Sequence, residues 1–165
     1  MFITRKDYDK TFELFGTQPT LNDKAPDFTL PSTKGRNVSL DDLKGQVTIL
    51  SVVPNINTRV CAIQTREFNQ RASQLKGINF FTIARNTLDE FSQWCAGEGL
   101  DLENLSDVDG TFGKAYGLIM SELNLLARSV FVIDQSLNIA YMEIVSEMTD
   151  EPAYQAPIKK ALELL

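Results

Sequence analysis

The sequence predicts an α/β fold, with a central mixed sheet flanked by helices and a β-hairpin ahead of it at the N-terminus. Two runs carry most of that reading. Residues 47–53 and 78–84 are short, rich in β-branched and aromatic side chains and almost continuously apolar, as strands buried on both faces are. Between them Cys61, Thr65, Phe68, Ala72 and Leu75 recur at steps of four, three, four and three, which makes one stripe of an amphipathic helix. Together they form a strand–helix–strand unit with parallel strands and a right-handed crossover. The third observation is the pair of runs at 129–134 and 138–144, separated by Gln135-Ser136-Leu137, which reads as an antiparallel hairpin attached to the same sheet.

The remaining elements follow in chain order. Residues 1–24 hold short alternating pieces around Phe12-Glu13-Leu14-Phe15, compatible with a small hairpin ahead of the main fold. Residues 25–31 are extended, residues 34–37 turn, and residues 38–40 lead into a brief helical turn at 41–45. The strand at 47–53 stops at Pro54. Asn57 or Thr58 can cap the helix that follows, and that helix closes at Lys76-Gly77 with a basic residue and a glycine stop. Thr87-Leu88-Asp89-Glu90 has the spacing of a capping box. In the helix it opens, Leu88, Phe91 and Cys95 share a face, and Gly97 and Gly99 stop it just beyond Cys95, near an end where fraying is easiest. Residues 102–105 are expected as a short strand and 110–116 as a short helix ended by Gly117. Thr149, Asp150 or Glu151 opens a last helix through Leu165 with Pro152 in its first turn. Pro157 lacks the N–H that an interior position needs, so that helix either kinks or starts later.

Composition narrows the chemistry. A length of 165 residues with 43% hydrophobic content fits one soluble domain with a sizeable core. The balance of 16 basic against 22 acidic residues gives a net charge of −6, which argues against a nucleic-acid or anionic-membrane surface and favours a cytoplasmic protein. The polar first ten residues hold no apolar signal core, so the mature chain is expected to start near Met1, and no stretch approaches the roughly 18 apolar residues that span a bilayer. There is no histidine, which removes Cys-His and Ser-His nucleophile pairs and any imidazole metal site. The two cysteines, Cys61 and Cys95, are too few for the common four-ligand structural zinc site.

Cys61 falls in the first turn of its predicted helix, where unpaired N–H groups and the positive end of the dipole favour an anion such as a thiolate. Its position alone leaves two readings open, a reactive sulfur and a small buried hydrophobe. If it is reactive, its activation comes from backbone dipoles, hydroxyls and arginine, and its natural partner is the other sulfur, which points to redox chemistry.

With these residues in place the chain resembles the peroxiredoxins, which carry a thioredoxin-like fold, and among them the bacterial thiol peroxidase subfamily. The carriers are Ala25-Pro26-Asp27-Phe28, Val52-Val53-Pro54 with Thr58 and Cys61, Thr65-Arg66-Glu67-Phe68-Asn69, residues 94–100 around Cys95, Ala115-Tyr116-Gly117 and residues 125–134. The resemblance implies that Cys61 is the peroxidatic cysteine, which attacks a hydroperoxide and becomes a sulfenic acid. It implies that Cys95 is the resolving cysteine, closing an intrasubunit disulfide. Thr58 matches the hydroxyl that binds thiolate and peroxide, Pro54 the residue that shields the sulfur from water, and Arg128 the guanidinium that stabilises both. Standing alone, these three would more often be an N-cap, a strand stop and a surface ion pair. Thioredoxin as reductant and a homodimer are likewise what the resemblance implies; no cofactor or metal is expected.

Two departures stand out. The subfamily usually reads Asp-Thr-Gly-Val-Cys around the nucleophile and this chain reads Asn57-Thr58-Arg59-Val60-Cys61; ahead of Cys95, Asn86-Thr87-Leu88-Asp89-Glu90 replaces Asp-Leu-Pro-Phe-Ala. The rival readings are a thiol–disulfide oxidoreductase on the same fold, which usually needs a Cys-x-x-Cys pair that is absent, and a peroxide-responsive redox sensor. The Cys61 and Cys95 segments begin on different helices, and a bridge needs Cα atoms within about 7 Å, so both helix ends are expected to rearrange before the disulfide closes.

Overall fold

The computed structural model describes residues 1–72 and 75–165. The chain opens with an antiparallel ribbon, β1 (Phe2–Arg5) and β2 (Lys10–Glu13), as expected for the N-terminal segment. A second ribbon follows, β3 (Thr29–Pro31) with β4 (Asn37–Ser39), then a 3-10 turn at Asp41–Leu43. Next come β5 (Val47–Val52), α1 (Arg59–Ala72), β6 (Ile78–Ala84), α2 (Leu88–Glu98), β7 (Asn104–Ser106) and α3 (Thr111–Ala115). The chain finishes with β8 (Ser129–Ile133), β9 (Ile139–Ile144) and α4 (Gln155–Glu163).

Five strands make the central sheet in the order β7-β6-β5-β8-β9. The β5–β6 and β6–β7 pairs are parallel, whereas β5–β8 and β8–β9 are antiparallel, so the sheet is mixed as predicted. Every residue of β5 is buried, because both faces of this middle strand are covered. The two-residue alternation of a strand divides its side chains. Leu50 and Val52 join Phe81, Phe131, Phe112 and Tyr116 on one face. Val47 and Ile49 join Phe68 of α1 and Ala161 of α4 on the other. Ser51 falls on the α1 side of that alternation, a polar residue in an apolar strand, and its role emerges at the site.

The structure corrects three boundaries. α4 begins at Gln155, not at residues 149–151, so Pro157 stands third in the helix, where its missing N–H has no acceptor to lose. The segment before it is irregular, held where the Ala153 N–H donates to Glu143 Oε1 at 2.9 Å. Gly97 lies inside α2; Gly99 alone ends that helix, taking φ 67° while its N–H and that of Leu100 return to Ala96 and Cys95 carbonyls. The short strand runs over 104–106 instead of 102–105, because its partners on β6 are Thr82, Ile83 and Ala84. α1 is described to Ala72, and residues 73–74 of its expected C-terminal end lie outside the described residues.

Gly117 closes the short helix α3 as anticipated. It takes φ +63°, and a Cβ there would stand 2.6 Å from the backbone carbonyl of Thr17, which has no room to give. Gly117→Ala is expected to lower stability by at least about 1–2 kcal/mol, from the left-handed backbone conformation alone. A urea denaturation midpoint at the wild-type value would contradict this packing.

Candidate active site

Pro54 ends β5 one residue after the Val53 N–H reaches across to the Ile83 carbonyl at 2.9 Å. The chain then turns tightly. The Asn55 carbonyl accepts from both the Thr58 N–H at 3.1 Å and the Thr58 hydroxyl at 2.8 Å, and Asn55 Oδ1 accepts from the Asn57 N–H at 3.0 Å. Asn86 props the turn from the loop after β6, accepting from the Ile56 N–H at 2.9 Å and donating to Asn55 Oδ1 at 3.1 Å. α1 starts where the Ala62 N–H meets the Thr58 carbonyl, which makes Cys61 its third residue. Thr58 is therefore the backbone N-cap, but neither its side chain nor that of Asn57 caps. Among the described residues the N–H groups of Arg59, Val60 and Cys61 have no protein acceptor, the usual state of a helix start that faces an anion.

Cys61 is fully buried with Val53, Ile56, Ala84 and Phe91, and Trp94 packs against this group. On its polar side stands Arg128, only 4% exposed, which excludes the surface-ion-pair reading. Arg128 Nη1 lies 3.5 Å from Cys61 Sγ and donates to Gln64 Oε1 at 3.1 Å, while Nη2 donates to the Met148 carbonyl at 3.0 Å. Among the described residues no carboxylate pairs with it. A buried guanidinium without a counter-ion is costly, and the Cys61 sulfur lies beside this one.

Gln64 escaped the sequence reading although it lies three residues after Cys61, on the same helix face. It is fully buried; its Nε2 donates to Ser51 Oγ at 2.8 Å, so its carbonyl oxygen is aimed at Arg128. That accounts for the serine inside β5. The Met148 carbonyl is fixed from the N-terminal ribbon: the Met148 N–H donates to the Thr4 carbonyl at 2.8 Å, and the Thr4 N–H to the Ser146 carbonyl at 2.7 Å. Glu147, buried between them, accepts from the Lys6 N–H at 3.1 Å.

Pro54, Thr58 and Arg128 line one cleft of about 410 Å³, together with Arg59, Val60, Leu123 and Leu125. Four of the five expected site residues thus converge, with Cys61 beneath the cleft. The Thr58 hydroxyl proton is directed to Asn55 in this geometry, so donation to sulfur or substrate requires a rotation about its side chain. Cys95 stands apart on α2, half-buried, with Asn104 Nδ2 donating to its sulfur at 3.2 Å, and both cysteines are free thiols.

Both ends of α2 are fastened. At its start the full capping box forms, and the Thr87 N–H bonded to Glu90 holds that carboxyl below its usual range. At its end, Arg66 of α1 donates to both oxygens of Glu98 at 3.0 and 2.9 Å, lowering the Glu98 carboxyl in the same way. Asp89 and Glu90 are thus a helix-start feature, as the spacing indicated. Among the described residues no group of three potential metal ligands occurs, and no helix is long and apolar enough to cross a membrane.

The model of the AhpC/TSA family matches residues 21–142. The chain is 45% identical over 154 residues to a thiol peroxidase of Bacillus subtilis (strain 168), with 92% of each protein covered. It is 46% identical over 150 residues to a thiol peroxidase of Listeria monocytogenes serotype 4b (strain F2365), covering 90% of this chain and 91% of that one. Among solved structures, a peroxiredoxin-like protein from Aquifex aeolicus superposes with a TM-score of 0.91 at 24% identity, over 99% of this chain and 97% of that one. A thiol peroxidase from Chromobacterium violaceum gives 0.86 at 16% identity, over 99% and 96%. At these identities the structures establish the fold, which is the thioredoxin-like arrangement of the peroxiredoxins expected from the sequence.

Gln64→Met keeps the bulk at this position but removes the acceptor facing Arg128. It is expected to destabilise the protein by about 1–3 kcal/mol, the cost of a buried donor left unmade. Urea unfolding measures this, and a variant as stable as the wild type would show that Gln64 does not hold the guanidinium.

Proposed function

The chain belongs to the AhpC/TSA family, and on that premise we propose that it is a thiol-dependent peroxidase with Cys61 as nucleophile and Cys95 as its resolving partner. The observation that carries the reading is the placement of Cys61 Sγ at a helix start, 3.5 Å from a buried arginine that has no carboxylate partner among the described residues. The Cys61 thiolate attacks one oxygen of a hydroperoxide, the O–O bond breaks, and the alkoxide leaves and takes up a proton as alcohol. Cys61 is left as a sulfenic acid. Arg128 and the free N–H groups of the first turn stabilise negative charge at sulfur and oxygen, Thr58 orients the peroxide, and Pro54 keeps bulk water from the sulfur.

The Cys95 thiolate then attacks the sulfenic sulfur, hydroxide departs as water after protonation, and an intrasubunit disulfide forms. For this Cys95 must leave Asn104, and α2 must loosen at its capping box or at the Arg66–Glu98 pair. A thiol reductant returns the two electrons. We assign that role to thioredoxin, with a homodimer as the assembly and the cytoplasm as the compartment, on the strength of the family resemblance.

Steady-state peroxide consumption with a thioredoxin system separates an enzyme from a sensor. The wild type is expected to turn over many times and Cys61→Ser not at all; one stoichiometric oxidation without turnover would favour the sensor. Thr87→Ala removes a helix cap worth about 1 kcal/mol, so local opening of α2 and alkylation of Cys95 in the reduced protein should rise about fivefold. An unchanged alkylation rate would mean that α2 need not open from its start.

A further inference from the structure

We propose that the cleft above Cys61 selects organic hydroperoxides that also carry a carboxylate, with Arg59 as the residue that binds it. The proposal rests on the peroxidase reading and narrows its substrate class. Three arginines line the cleft, Arg5, Arg59 and Arg128, against one acid, Asp7. Arg5 is engaged: its guanidinium bonds Asp7 at 3.1 Å and lies 4.3 Å over the Tyr8 ring. Arg128 is held by Cys61, Gln64 and Met148. Arg59 is exposed and, among the described residues, has neither an acid partner nor a hydrogen bond from its side chain.

Its placement is unfavourable for the fold alone. Arg59 is the first residue of α1, where the dipole disfavours a cation, and the first turn of that helix holds no acid to offset this. A bound anion offsets it directly. Beneath the same cleft a second set of groups awaits an oxygen ligand: Arg128 Nε is buried without a partner, and the first-turn N–H groups lack acceptors. Val60, Leu123 and Leu125 supply an apolar wall in the same cleft. A substrate with a hydroperoxide for the deep groups, a hydrocarbon body for the wall and a carboxylate for Arg59 satisfies all three.

The test compares a hydroperoxy fatty acid with its methyl ester, both below their micellar concentrations, with tert-butyl hydroperoxide as a reference. The ratio of kcat/KM for acid to ester isolates the carboxylate, because any influence of Arg59 on the sulfur affects both alike. In the wild type the ratio is expected to exceed about threefold at low ionic strength, in line with an ion pair at a half-open rim, and to fall with added salt. Arg59→Gln brings it to near one, and Arg59→Lys keeps most of it. A wild-type ratio near one overturns the proposal, as does a ratio that Arg59→Gln leaves unchanged. If Arg59→Gln instead raises only the KM for the reductant, the cation docks that partner and the proposal fails. No turnover of any of the three peroxides would reject the peroxidase reading itself.

Discussion

The structure depends on how Arg128 is buried. A guanidinium removed from water must find acceptors for its protons or it costs several kcal/mol, and here its three neighbours come from two parts of the chain, α1 and the segment at Met148. Gln64 supplies one from α1, and it is itself aimed by Ser51 on the central strand. Met148 supplies another through its carbonyl, which the N-terminal ribbon fixes through Thr4. The third neighbour is the Cys61 sulfur. The sheet, the first helix and the N-terminal ribbon therefore converge on one cation, and the Cys61 sulfur lies 3.5 Å from it.

The parts of this arrangement that local rules control were legible in the sequence. The strand at 47–53, its stop at Pro54, the stripe through Cys61, Thr65 and Phe68, and the Thr87–Glu90 capping box each follow from periodicity or capping within a dozen residues. Long-range pairings were not legible. Gln64 carried a visible signal, since a step of three from Cys61 puts it on the buried face, yet an amide at such a position reads as a helix surface unless its partner is known. That partner lies 64 residues away at Arg128. Arg128 itself was reached only through family resemblance, because an arginine ahead of a strand has no local pattern that marks it as buried. The start of α4 illustrates the same limit, since Pro157 posed the alternatives but the irregular segment held by Glu143 decided between them.

The two sulfurs are held by different means. Cys61 is packed under Phe91 and Trp94 and held beside Arg128, while Cys95 is bound by Asn104 on a helix fastened at both ends. The fastenings of α2 are surface features, a cap and an exposed ion pair, which contribute little each and can be released without disturbing the sheet. Thr87 and Glu90, inside the stretch 86–90 that departs from the subfamily pattern, form that cap.

The most direct test of the central claim is to titrate the fully reduced protein with one equivalent of hydroperoxide and map the product by mass spectrometry of peptides under non-reducing conditions. The account predicts a loss of two hydrogens per chain, with the peptide bearing Cys61 linked to the peptide bearing Cys95 of the same chain. An oxidised Cys95 beside an untouched Cys61 thiol would contradict it.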